Sequence, residues 1–267
     1  MKMNAQAGCK SVESGAIRGN KGQDESVDII SPHPAIEICD LSFAYPDGHA
    51  VLHRINLCIG QGERVAIVGP NGAGKSTLML HFNGILKGEG TVRVDGMEVA
   101  GANLKKVRAL VGMVFQNPDD QLFSPTVFDD VAYGPIYMGL ARDEVQRRVM
   151  WALQQVNMEG YASRVSHHLS LGEKKRIAIA TVLAMEPRIL VLDEPSADLD
   201  PRARRTLIQL LKRLTQTLII SSHDLRLVKE LCPRTVILDE GHIVADGPTL
   251  ELLSDEALLY AHGLEPV

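Results

Sequence analysis

The chain has 267 residues, 45% of them apolar and 23% charged, which suits one large or two small globular domains with a sizeable core. Its formal net charge of −5 argues against nucleic acid as the main partner, because such binders carry a basic surface. The four cysteines form no C-x-x-C pair, which disfavours a disulfide framework or a zinc ribbon and suits a reducing cytosol. The longest apolar stretch, Ile177 to Met185, is about half of what a bilayer crossing needs, and the N-terminus lacks the apolar core of a secretory signal.

Residues 1–34 are rich in Gly, Ser, Asn, Gln and Lys without periodicity, which predicts a disordered extension, with a small regulatory arm as the alternative. Ala35 to Ala44 reads as a strand whose alternation slips near Cys39-Asp40, the mark of a bulge. Pro46-Asp47-Gly48 is a turn, and Ile55, Leu57 and Ile59 belong to a half-buried strand. Arg64 to Val68 is an apolar run that reads as a buried strand, and Thr77 to Leu86 as a helix start. Asp95-Gly96 between Thr91–Val94 and Glu98-Val99 predicts a hairpin. Val111 to Phe115 is a further strand, ending at Gln116-Asn117-Pro118. The pattern then turns helical. Ala141 to Asn157 carries Val145, Val149, Ala152, Leu153 and Val156 on one face, with Trp151 off that stripe. Beyond Ser170 helices and strands alternate: helix Glu173–Met185, strand Ile189–Leu192, helix Arg202–Leu214, strand Leu218–Ile220, and a hairpin-like pair around Glu240-Gly241. Short buried strands alternating with helices predict an α/β fold with a mainly parallel sheet covered on both faces. No internal repeat is visible, so the chain holds one such unit and not a tandem pair.

Three stretches carry chemistry. Gly69-Pro70-Asn71-Gly72-Ala73-Gly74-Lys75-Ser76-Thr77 follows a strand and opens a helix, the context of a phosphate-binding loop. Its glycines let backbone N–H groups wrap an anion, Lys75 is placed for the β- and γ-phosphates of ATP, and Ser76 can offer its hydroxyl to Mg²⁺. Arg188 to Glu194 is four apolar residues ending in two carboxylates, at the strand end where ligands of α/β sheets bind. Asp193 is placed for Mg²⁺ and its hydration shell, and Glu194 to orient or deprotonate an attacking water. Leu169-Ser170-Leu171-Gly172-Glu173 precedes a helix. Ser170 and Gly172 can present donors to an anion there, and Ser170 with Glu173 also reads as a capping box.

The last stretch resembles the Leu-Ser-Gly-Gly-Gln signature of ATP-binding-cassette (ABC) ATPases, and other features of that family stand in the same order. Gln116 matches its Q-loop glutamine, which touches Mg²⁺ or water and faces a membrane partner. His223 in Ser221-Ser222-His223-Asp224 matches the switch histidine at the γ-phosphate, Ala197 to Asp200 the loop that couples two subunits, and Tyr45 the aromatic stacked on adenine. The resemblance implies an ABC-type P-loop NTPase core with a mainly parallel sheet, an antiparallel β subdomain and an α-helical subdomain. That domain is expected over 35–248, with the helical subdomain near 117–172 and a C-terminal tail over 249–267. Leu171 and Glu173 depart from the signature. Leu171 restricts the backbone, and an ionised Glu173 close to a phosphate would repel it. Both departures could tune hydrolysis without removing Ser170, Gly172 or Glu194.

Gln116 to Phe123, with Val131-Ala132-Tyr133-Gly134-Pro135, is similar to the ATPases of energy-coupling-factor importers, in particular the cobalt and nickel group. In that family the stretch receives a helix of the transmembrane partner, and Leu122, Phe123, Val127, Phe128, Val131 and Tyr133 are expected as its apolar floor. The adjacent carboxylates Asp119 and Asp120 are not expected to bind the transported ion. The resemblance implies ATP and Mg²⁺ as cofactors, a second ATPase chain (identical or not), a transmembrane coupling subunit, a substrate-binding membrane subunit, and a peripheral place on the cytoplasmic face of the membrane. A vitamin or other small-solute importer, and a soluble ABC ATPase outside transport, are the competing readings.

Overall fold

A computed structural model describes residues 31–266. Most of the extension expected at 1–34 therefore lies outside the described residues. Its last residues are docked: the His33 carbonyl accepts a hydrogen bond from Gln61 at 3.3 Å.

Two sheets are present among the described residues. The first is antiparallel, in the order β2–β1–β4–β5. It is built from β1 (Ile36–Ala44), β2 (Ala50–Ile59), β4 (Glu89–Val94) and β5 (Met97–Glu98). The expected slip in β1 is real: its pairing with β2 shifts register between Ile38 and Leu41. The Asp95-Gly96 hairpin joins β4 to β5 as the sequence suggests.

The second sheet has six strands in the order β10–β9–β3–β8–β7–β6. β3 (Arg64–Val68), β6 (Val111–Val114), β7 (Ile189–Asp193), β8 (Thr217–Ser221) and β9 (Arg234–Asp239) run parallel, and β10 (His242–Pro248) returns antiparallel along β9. Alternate residues of each strand serve opposite cores, as the pleat dictates. Val65, Ile67, Ile189, Val191 and Ile219 join the core shared with the antiparallel sheet. Ala66, Val68, Leu190, Leu192 and Ile220 join the core shared with the helices. Burial on both faces explains the unbroken apolar runs.

The helices are α1 (Lys75–Leu80), α2 (Leu104–Leu110), α3 (Val127–Tyr137), α4 (Arg142–Gln155), α5 (Leu171–Leu183), α6 (Pro201–Arg213), α7 (Leu225–Leu231), α8 (Thr249–Leu252) and α9 (Glu256–Ala261). α1 is shorter than the sequence suggests. The N–H groups of Ile85 and Leu86 both return to the Leu80 carbonyl, which closes the helix there. α4 buries the expected stripe, and Trp151 packs at the margin of that core. α3, α4 and α5 pack together as a helical layer. The segment 249–267, expected as a tail, is folded through residue 266: Leu253, Leu259 and Leu264 are buried in the helical core. None of the helices among the described residues is long and apolar enough to cross a membrane.

Candidate active site

The parallel strands β3, β8, β7 and β6 lie side by side, so the loops leaving their carboxyl ends share one edge of the sheet. The turn after β3 is the glycine-rich loop. Gly74 has φ +101°, a left-handed position that a side chain resists. A β-carbon on Gly69 would lie 1.9 Å from the Leu238 carbonyl oxygen, so only glycine lets the loop pass β9 this closely. Lys75 turns its Nζ back onto the Gly69 and Pro70 carbonyls at 2.8 and 3.0 Å. Burial pushes its pKa down, while Glu194 and Asp193 act in the opposite sense. Its ammonium donates to neutral carbonyls, weaker partners than a charged phosphate oxygen.

Asp193 ends β7, and its Oδ1 accepts a short hydrogen bond from the Ser221 hydroxyl. Glu194 follows with φ +43°. Its N–H donates to the Ser221 carbonyl at 3.2 Å and to Ser221 Oγ at 3.0 Å. Its Oε2 accepts from the His223 N–H at 3.3 Å and lies 2.9 Å from His223 Nδ1. The Glu194 side chain is 8% exposed and that of His223 63%. A neutral imidazole donating from Nδ1 keeps Nε2 as an acceptor. The carboxylate is thus fixed and nearly dry, and the imidazole beside it faces solvent.

A cleft of about 470 Å³ is lined by Tyr45, Asn71, Gly72, Gly74, Lys75, Ser76, Thr77, Gln116, Glu194 and His223. Gly69, Pro70, Ala73 and Asp193 are not on its wall, although each adjoins a residue that is or belongs to the same loop. The Tyr45 hydroxyl is 3.1 Å from Thr77 Oγ1, and its ring meets Phe43 edge-on at 5.0 Å. The aromatic ring of Tyr45 and the carboxylate of Glu194 thus line the same cleft. His49 and Val51 also line it, and sequence reasoning did not single them out. Ser221, which the sequence offers only as a neighbour of His223, donates to the Asp193 carboxylate and accepts from the Glu194 N–H. The signal was its place at the end of β8, next to β7 in the sheet.

Ser170 and Gly172 do not reach this cleft. Ser170 caps α5 in the capping box the sequence suggests. Glu173 Oε2 accepts from the Ser170 N–H at 2.9 Å and from its hydroxyl at 2.7 Å, and Oε1 accepts from the Tyr161 hydroxyl at 2.8 Å. The carboxylate that could repel a phosphate is therefore turned onto its own helix cap. The Ser170 hydrogen bonds hold the Glu173 carboxyl below its ordinary value of 4.5. A lowered folded-state pKa adds stability above the ordinary value, and that stability is lost as pH falls through the folded value. Glu173→Gln is expected to melt earlier than the parent at neutral pH, with the gap closing on acidification; parallel thermal melts across pH measure it.

A second concavity, of about 320 Å³, lies beside α3. Here the expected apolar floor is divided. Leu122, Val127 and Val131 are buried in the helical core and cannot form a surface: α3 turns the face of Val127 and Val131 inward, and the loop before it tucks Leu122 beneath. Phe123 and Tyr133 are 61% and 57% exposed, and their rings meet edge-on at 5.1 Å. Ile136 and Tyr137 extend the exposed apolar face. Asp130 is buried and holds the preceding loop: its Oδ1 accepts from the Phe123 and Ser124 N–H groups at 3.0 and 2.8 Å, and its Oδ2 from the Ser166 hydroxyl at 2.5 Å. Asp119 pairs with Lys174 of α5 at 2.7 Å.

The family described as "ABC transporter" matches residues 52–197. A protein of Streptomyces avermitilis, provisionally named an ABC transporter ATP-binding protein, is 54% identical over 87% of this chain and 89% of its own length. The energy-coupling factor transporter ATP-binding protein EcfA of Methanothermobacter thermautotrophicus is 52% identical over 84% of this chain and 74% of its own. Among solved structures, cbiO1 from Clostridium perfringens, part of the ABC transporter complex cbiONQ, superposes with a TM-score of 0.76 at 39% identity. The match covers 86% of this chain and 94% of that one.

Proposed function

The chain belongs to the ABC transporter ATP-binding family, and from that premise we propose that it is the ATP-hydrolysing subunit of an energy-coupling-factor type importer, with cobalt or nickel ions as the cargo. The observation that supports the catalytic part is the shared cleft: Lys75, Ser76, Gln116, Glu194 and His223 meet at one edge of the sheet. In this reading Tyr45 stacks on adenine, the Gly69–Thr77 loop cradles the phosphates, and Lys75 leaves its carbonyls for the β- and γ-phosphates. Water attacks the γ-phosphorus, its proton passes to Glu194, and the bond to the β-phosphate oxygen breaks. His223 contacts the γ-phosphate. The donor set of Ser76 hydroxyl, Gln116 amide and Asp193 carboxylate is all oxygen, which suits Mg²⁺. When bound, that ion would neutralise phosphate charge.

Ser170 and Gly172 stand apart from the cleft of their own chain. This supports a dimer in which they close over the nucleotide of a second copy or a related chain. Release of the γ-phosphate contacts then reopens the pair, a charge-driven switch of a two-state interface. The cargo assignment draws on what cbiO1 and EcfA are named for. The exposed Phe123–Tyr133 face supports docking of a helix from a transmembrane subunit, with this chain peripheral on the cytoplasmic side. Pull-down of the tagged chain from detergent-solubilised native membranes tests it. A multi-span coupling subunit with a metal-selective partner is expected, and Phe123→Ala/Tyr133→Ala should reduce its recovery by about tenfold or more. Recovery of a vitamin-selective partner would change the cargo, and recovery of ribosomal or DNA-associated proteins would overturn the importer reading.

A further inference from the structure

Lys175 is a lysine with 6% of its surface exposed, and nothing in the reaction just described uses it. It sits in the second turn of α5, which Ser170 caps and whose first turn carries Gly172. Its Nζ donates to the Glu194 carbonyl at 3.1 Å. The charges that act on it are Asp198, Glu194 and Asp193. The charges of Asp193 and Glu194 thus act on two buried ammonium groups, Lys75 from the glycine-rich loop and Lys175 from α5.

What Lys175 grips is the strained point of the site. Glu194 holds a left-handed backbone at φ +43°, a conformation that persists in a residue with a side chain only when its surroundings enforce it. On the amino side, Ser221 enforces it through two hydrogen bonds. On the carbonyl side, the partners are the Ala197 N–H at 3.2 Å and Lys175. Ser221 and Ala197 belong to the catalytic edge itself. Lys175 brings in a different element, and Lys174 beside it pairs with Asp119 in the loop before α3. Five steps along one helix, about 7.5 Å of rise, thus separate the Ser170 cap from the grip on Glu194.

We propose that Lys175 is a positioning residue for Glu194: it fixes the main chain that aims the carboxylate, and it makes α5 the rigid link between Ser170–Gly172 and the hydrolytic centre of the same chain. The proposal rests on the reading of Glu194 as the group that receives the water's proton. Contact of the α5 end with a second chain's nucleotide then bears on the first chain's own hydrolysis through one side chain.

Steady-state ATP turnover of the intact chain, beside binding of a fluorescent ATP analogue, tests this with Lys175→Met, Lys175→Arg, Glu194→Gln and the double variant Lys175→Met/Glu194→Gln. Misaiming the carboxylate should lower kcat of Lys175→Met by about 10- to 100-fold, with analogue affinity changed by less than about twofold. A role confined to stability would lower the melting temperature and leave kcat of the folded protein alone. Lys175→Arg, which can still donate to a carbonyl, should recover much of the loss. The double variant should be no slower than Glu194→Gln. If Lys175→Met does not fold, Lys175→Gln, too short to keep the contact, should show the same kcat fall. Wild-type kcat in the folded Met or Gln variant, with Glu194→Gln inactive, overturns the proposal alone. Wild-type kcat in Glu194→Gln overturns the reading of Glu194 and the proposal with it.

Discussion

Glu194→Gln is expected to lower ATP turnover by about 10²- to 10⁴-fold while nucleotide still binds. The amide has the shape of the carboxylate, and its oxygen can accept from the His223 N–H and Nδ1 as Oε2 does. The backbone of residue 194, held by Ser221 and Lys175, has no reason to move. What the amide lacks is a basic oxygen for the proton of attacking water. Loss of turnover with unchanged analogue binding is therefore the signature of chemistry, not of a damaged cleft. The measurement is phosphate release in a single turnover alongside equilibrium binding. Full turnover in this variant would place the base elsewhere.

Asp130→Ala should destabilise the fold by about 3 kcal/mol, among the larger effects open to one polar side chain. The carboxylate is 3% exposed, and its removal strands the N–H groups of Phe123 and Ser124 and the hydroxyl of Ser166. Asp130→Asn keeps an acceptor for the two N–H groups and should lose much less. Urea unfolding of the three proteins measures the difference. The loop so released is the one that presents Phe123, so Asp130→Ala is also expected to weaken docking at that face more than ATP turnover in the isolated chain. Equal loss of both would mean that the loop and the cleft unfold together.

The catalytic edge was legible because it is made of contiguous signals. Val65–Val68 before the glycines and Ile189–Leu192 before the carboxylates are fully buried strands, and a parallel sheet leaves their carboxyl ends adjacent. What escaped notice depends on tertiary neighbours. Gly and Pro have the lowest helix propensities, yet Gly134 and Pro135 both lie within α3. Leu122 and Phe123 are consecutive apolar residues that composition cannot separate, and the fold buries one and exposes the other. Lys175 stands in an unbroken run of charges, Glu173 to Arg176, that gives no sign of burial. Only the closeness of α5 to the end of β7 gives it a partner. Glu173 suggested repulsion from its charge alone, and Tyr161, twelve residues earlier, supplies part of the answer.

The seating of the last residues redraws the smallest piece of this chain that can stand alone. Thr249 bonds into the end of α7 through the Cys232 carbonyl, His262 Nδ1 lies 2.9 Å from Asp239 at the end of β9, and a β-carbon on Gly263 would sit 3.5 Å from Pro70 of the glycine-rich loop. A cassette trimmed after Pro248 would lose three buried leucines, Leu253, Leu259 and Leu264, and bare the helical core they cover. The terminal helices close the core behind the glycine-rich loop, and a fusion that replaced them at residue 248 would be grafted onto an open core.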